Sequence, residues 1–145
     1  MKEKTILLVE DNSGDEALTK RALMKARIKN ELEVVRDGAE ALDYLFCTGE
    51  YVTRDIKKVP QVVLLDLKLP KVDGLEVLRR LRSDERTRLL PIIIFTSSQE
   101  EDDVVAGYEG GANSYVVKPI NAKSFTDCIQ QLGLYWVTLN EALPQ

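Results

Sequence analysis

The sequence contains no histidine. That excludes a Ser-His-Asp or Cys-His nucleophile, a histidine-rich zinc site and a phosphohistidine carrier. Only two cysteines occur, Cys47 and Cys128, far apart and outside any CxxC spacing. They read as reduced thiols used as small core hydrophobes. No apolar stretch reaches membrane-spanning length, and the N-terminal Met1–Thr5 leads into only four strongly apolar residues, Ile6–Val9. Four residues are too few for a signal-peptide core, so a cytoplasmic protein without membrane attachment is expected. A basic surplus is also missing. Twenty Lys+Arg stand against 24 Asp+Glu, a net charge of −4, which argues against a nucleic-acid partner. The length of 145 residues favours one domain, and leaves no room for a second full domain such as a DNA-binding module.

What is present is periodic. Short aliphatic runs recur at Ile6–Val9, Leu32–Val35, Val62–Leu65, Ile92–Phe95 and Tyr115–Val117, with starts 26, 30, 30 and 23 residues apart. Such runs read as buried strands, and each interval has room for one helix, the βαβ pattern of a parallel sheet. Helix-start spacings come after the runs: Ser13-x-x-Glu16, Asp37-x-x-Glu40, Asp73-x-x-Glu76 and Ser98-x-x-Glu101 match the capping box or its Asp variant. Gly74, Val77, Leu78 and Leu81 share one helical face, as do Phe125, Ile129, Leu132 and Trp136. Arg79, Arg80 and Arg82 read as a solvated face, and residues 49–60 as a longer charged loop. The expected architecture is a flavodoxin-like (βα)5 fold: a five-stranded, doubly wound parallel sheet in the order 2-1-3-4-5, with helices on both faces.

In such a sheet, ligands bind beyond the carboxyl ends of the strands. Glu10 and Asp11 come after the first run, Asp66 after the third, Thr96 after the fourth and Lys118 after the fifth. The order 1-3-4-5 brings three carboxylates, a hydroxyl and an ammonium to one edge. Carboxylates that close repel unless a cation intervenes, and Lys118 supplies one charge only. A hard divalent cation with oxygen ligands fits, and Mg²⁺ suits a site beside phosphate. Nucleophilic carboxylate, metal, lysine and hydroxyl together make a phosphoryl-transfer site.

These residues, with Leu64–Pro70, Asp73-Gly74, Ile94–Ser97 and Gly111–Pro119, resemble the receiver domain of bacterial response regulators over about Thr5 to Leu132. The resemblance implies a receiver core there, with a C-terminal helix and short tail over 133–145. It implies that Asp66 is the phosphoacceptor for a sensor histidine kinase. Glu10, Asp11, Asp66 and the main-chain carbonyl of Lys68 would be the metal ligands. Thr96 and Tyr115 would be the coupled switch pair and Lys118 the phosphoryl-binding lysine, on a cis Lys118–Pro119 bond. Glu10 stands where many members carry Asp, and its longer arm would reach the metal directly or through water. Asp11–Asp15, the loop through Gly49 and Tyr51, Leu69–Gly74 and Tyr135–Asn140 are similar to single-domain receivers that partner bacterial phytochrome kinases. Output would then be protein binding: a downstream target, a relay phosphotransferase or a homodimer. Tyr135 and Trp136 read either as helix packing or as a dimer or kinase contact.

Two other functions fit the nucleophilic aspartate or the fold. A phosphatase with an aspartyl-phosphate intermediate would use the same carboxylate, but Asp66-Leu67-Lys68 lacks the second acid two residues on. A scaffold that is never phosphorylated would leave filled chemical positions unused. A glycine-rich phosphate loop is absent after the first strand, which removes GTPase and dinucleotide-binding readings.

Overall fold

A computed structural model describes residues 5–144. Met1–Lys4 and Gln145 lie outside the described residues, and with them most of the N-terminal segment tested for a leader and both ends of the expected 1–145 domain. The strands are β1 (Thr5–Val9), β2 (Glu31–Val35), β3 (Val62–Leu65), β4 (Ile92–Thr96) and β5 (Ser114–Val117). Between and after them run α1 (Ser13–Lys25), α2 (Gly38–Phe46), α3 (Gly74–Arg82), α4 (Glu101–Glu109) and α5 (Ala122–Gly133). All five strands are parallel, in the order β2-β1-β3-β4-β5.

Strand side chains alternate between faces, and the core divides accordingly. Leu7, Val9, Val63, Leu65, Ile92 and Ile94 pack with Ala41, Leu45, Val77, Leu78 and Leu81 of α2 and α3. Ile6, Leu8, Val62, Leu64, Ile93 and Phe95 pack with Ala22 and Leu23 of α1 and Phe125 and Ile129 of α5. Complete burial of each such aliphatic side chain contributes about 1.5–3 kcal/mol. Two hydrophobic layers thus fix the sheet from both sides and hold the strand ends in register.

Local details depart from the sequence reading. The cap of α1 is Asn12, whose side chain accepts from the Asp15 amide at 2.9 Å, rather than Ser13. Glu16 does not reach back, because Lys20 and Arg36 take its carboxylate. Helix α4 begins at Glu101, two residues later than a Ser98 cap would place it, and its N-cap Glu100 makes no side-chain cap bond; the Ser98 hydroxyl donates to Asp103 and accepts from the Glu100 amide at 3.4 Å. Asp37 and Asp73 do cap α2 and α3, accepting from Glu40 and Glu76 amides at 2.7 and 3.0 Å. Arg82 is not on a solvated face. Its guanidinium donates to the carbonyls of Gly111, Thr87, Arg88 and Leu90 and to the Asn113 side chain. The thiols of Cys47 and Cys128 are free and half-buried, with Cys47 closing α2 at a left-handed φ of 56°.

Beyond α5 the chain widens into a π-helical segment, Leu134–Leu139. The Asn140 amide closes it on the Tyr135 carbonyl at 2.6 Å. The wider turn shifts the angular phase, so Val137 takes the buried position and Trp136 packs only partly against the core. Gln61 ties the segment to the sheet by donating to the Trp136 and Val137 carbonyls at 3.2 and 3.1 Å. Among the described residues no helix is long and apolar enough to cross a membrane.

Candidate functional site

The site forms where β1, β3, β4 and β5 end. The Asp66 amide donates to the Val9 carbonyl at 3.2 Å, and the Glu10 amide to the Val35 carbonyl at 2.9 Å. These bonds set the two acids side by side just past the sheet. Carboxylate oxygens of Glu10, Asp11 and Asp66 all lie within 4.8 Å of one another. Glu10 and Asp66 are buried, at 2% and 7% exposure, while Asp11 faces solvent. An all-oxygen trio with one exposed member fits a hard divalent cation that keeps part of its water shell.

Lys118 reaches into this group from the end of β5. Its amide donates to the Thr96 carbonyl at 2.7 Å, which anchors the backbone beside β4. Its ammonium meets Glu10 at 2.6 Å, Asp15 at 2.9 Å and Asp66 at 2.9 Å. Burial by itself would pull the lysine down, but hydrogen bonding of its ammonium to Glu10, Asp15 and Asp66 and the Asp66 charge outweigh it and hold Lys118 above its ordinary value. Glu10 is pushed up to about 7, chiefly because burial disfavours its charged form, with the lysine only partly offsetting this. The second oxygen of Glu10 accepts from the Asn12 amide at 3.2 Å.

Thr96 is fully buried at the end of β4, and its hydroxyl oxygen lies 3.5 Å from the Ser98 amide. Tyr115 is half-buried on β5, with its hydroxyl donating to the Ser98 carbonyl at 2.9 Å. The stretch after Thr96 therefore touches both members of the predicted switch pair. Lys68 lies just beyond Asp66 in the β3–α3 loop and donates its amide to the Asp66 carboxylate at 3.3 Å. Gly74 lets α3 start against that loop. A Cβ there would run into the Asp66 carbonyl and the Leu67 Cα, while the Gly74 amide donates to the Leu67 carbonyl at 2.9 Å.

The strand-end residues expected from the sequence are thus at one edge, with Glu10, Asp11, Asp66 and Lys118 in one cluster. Tyr135 and Trp136 are elsewhere, in the π-helical segment, their rings edge to face with centroids 5.1 Å apart. Among the described residues no peptide bond is cis. Lys118–Pro119 is therefore trans, against the expectation. Trans is the intrinsically favoured form, and the lysine is directed inward by its three carboxylate partners. Asp15 was not anticipated. It lies in the first turn of α1, and the signal available was its place: that turn opens onto the same sheet edge.

Comparison with known proteins bears on this edge. The response regulator receiver domain matches residues 6–130 of the chain. Response regulator Rcp1 of Synechocystis sp. is 38% identical over 134 residues, covering 92% of this chain and 89% of its own. The Mn²⁺-bound form of Rcp1 superposes with a TM-score of 0.90 at 36% identity, covering 97% and 99% of the two chains. The phosphorylated cyanobacterial phytochrome response regulator RcpA gives a TM-score of 0.91 at 34% identity, covering 98% and 99%. The bacteriophytochrome response regulator RtBRR is 53% identical, with a TM-score of 0.76 and coverage of 97% and 84%. The chain belongs to the response regulator receiver family.

Proposed function

We propose that this protein takes a phosphoryl group from a sensor histidine kinase onto Asp66 and that the modified form changes its protein contacts. The observation that carries the reading is the convergence of Asp66 with two further acids and one buried lysine at a parallel-sheet edge. In the transfer, a carboxylate oxygen of Asp66 bonds to phosphorus as the phosphorus–nitrogen bond of the kinase phosphohistidine breaks. The electron pair of that bond returns to the imidazole nitrogen. Lys118 neutralises phosphoryl oxygens, and Thr96 donates its hydroxyl to them.

Glu10, Asp11, Asp66 and the Lys68 carbonyl are the residues to hold Mg²⁺. When bound, the ion supplies positive charge that offsets the three acids and the incoming phosphoryl oxygens. Phosphorylation adds strongly anionic oxygens. Thr96 turning toward them loosens the Ser98 stretch that Tyr115 holds, which is the route to the surface of α4, β5 and α5. The protein acts as a phosphoacceptor with at most slow self-dephosphorylation, not as a turnover enzyme. It acts in the cytoplasm as one receiver domain, core about 5–132, whose 133–145 segment carries Tyr135 and Trp136 as candidate contacts for a second copy or a kinase.

The names of RcpA and RtBRR support a phytochrome histidine kinase as the donor. The output partner is a downstream protein or a relay phosphotransferase. The test is phosphotransfer profiling against the histidine kinases of the source organism, in red and far-red light. Rapid, light-dependent transfer to wild type and none to Asp66→Asn is the expected result. Transfer only from kinases without a photosensory module would remove the phytochrome assignment.

A further inference from the structure

We propose that Asp15 is a positioning residue that restrains Lys118 and so limits how tightly the pocket holds a phosphoryl group. The inference rests on the reading of Asp66 as phosphoacceptor and Lys118 as its cationic partner.

An ammonium has three N–H donors. In Lys118 two of them go to Asp15 and Asp66 at 2.9 Å each, and the same nitrogen is ion-paired with Glu10 at 2.6 Å. The lysine side chain is 8% exposed, so little water is at hand to replace a lost partner. Phosphoryl oxygens on Asp66 must therefore compete with carboxylates already placed around Lys118.

Asp15 stands apart from the other two. It is not in the acid trio of Glu10, Asp11 and Asp66, and it comes from a helix rather than a strand end. Its backbone is fixed on both sides. The amide donates to the Asn12 side chain at 2.9 Å, and the carbonyl accepts from the Thr19 hydroxyl at 2.8 Å. A carboxylate anchored in this way cannot move far with the ammonium. It competes with the phosphoryl group for Lys118 and places one more negative charge at the edge where an anion must arrive. Neutralising Asp15 with its shape kept frees a lysine donor and lowers that repulsion.

The experiment uses the full chain with Mg²⁺ and beryllofluoride as the phosphoryl mimic, read by ¹⁹F resonance and calorimetry. Asp15→Asn is expected to bind the mimic roughly three- to fivefold more tightly than wild type, the upper range of a partly exposed ion pair. Asp15→Glu is expected to return to wild-type affinity, and phospho-Asp66 in Asp15→Asn to decay more slowly by a similar factor. In a Lys118→Ala background the same Asp15→Asn change should shift affinity less than about twofold. Mn²⁺ titrated alone should bind Asp15→Asn and wild type alike.

Equal mimic affinity in Asp15→Asn and wild type would overturn the proposal. So would a shift that persists undiminished without Lys118. A loss of Mn²⁺ affinity as large as that of Asp11→Asn would do the same by making Asp15 a metal ligand. If wild type itself takes up neither the mimic nor a phosphoryl group, the phosphoacceptor reading falls, and the restraint proposed on it falls too.

Discussion

Lys118 and Asp66 are 52 residues apart in the chain and 2.9 Å apart in the fold. Their contact links β5 to β3 across β4, so the lysine spans the pocket rather than lining one side of it. Without Lys118, the buried carboxylates of Glu10 and Asp66 and the exposed one of Asp11 would sit together with no cation among them. Replacing Lys118 by Met should therefore destabilise the metal-free protein by up to about 3 kcal/mol, as expected on breaking a buried ion pair. MgCl₂ should then raise the melting temperature of Lys118→Met by more than it raises that of wild type. An equal or smaller gain would mean that the acids and the lysine are not coupled.

Gly74 sets the distance between α3 and the loop carrying Asp66. In Gly74→Ala the new methyl group meets backbone atoms of Asp66 and Leu67, which cannot swing aside as a side chain can. A loss of about 1–3 kcal/mol is expected from overpacking, read as a lower urea midpoint. Phosphorylation by a small donor should slow in the same variant, because the Asp66 backbone must shift. Unchanged midpoint and unchanged rate together would contradict the role assigned to this glycine.

Arg82 closes the far end of α3 by bonding four carbonyls and the Asn113 side chain. Truncation in Arg82→Ala leaves several acceptors short of a donor and should cost about 2–4 kcal/mol. Arg82→Lys should recover little, since an ammonium lacks the planar fork that reaches acceptors on both sides. Chemical denaturation of the two variants decides the matter; near-wild-type stability in Arg82→Lys would show that charge alone suffices.

Tyr51 gives a pH signature remote from the pocket. Burial first, and then its hydrogen bond to Glu40, push the phenol up to about 12 from its ordinary value near 10. The neutral form is therefore favoured by folding. Its contribution to stability is complete below pH about 10 and is lost as the pH rises through about 12. Burial also raises Tyr44 and Tyr115, so absorbance at alkaline pH should show several late-titrating tyrosines, of which the component near 12 disappears in Tyr51→Phe. If the amplitude lost in Tyr51→Phe lies near pH 10 rather than near 12, the 2.7 Å bond to Glu40 is not maintained in solution.

Much of this fold is legible in the chain. The aliphatic runs carry the period, and the parallel βα rule supplies the strand order. The polar residues at the ends of those runs locate Glu10, Asp11, Asp66, Thr96 and Lys118, because a strand end is a position that sequence can mark. Asp15 escapes because its partner is 103 residues away and its own neighbourhood reads as an ordinary acidic first turn. Arg82 escapes for a related reason. Helical phase tells which face a residue is on, but not that the 83–90 loop and Gly111 fold over that face. Trp136 is misplaced by a 3.6-residue periodicity carried through a segment that the structure winds more widely.

Asp66 accepting a phosphoryl group in a pocket charged by Mg²⁺ is the step on which the whole account turns. Incubation with acetyl phosphate, with and without MgCl₂, and then intact-mass measurement and mapping of the modified peptide, tests it most directly. The expected result is a gain of one phosphoryl group on Asp66 that requires Mg²⁺ and is absent in Asp66→Asn. No gain on wild type, or an equal gain on Asp66→Asn, would contradict it.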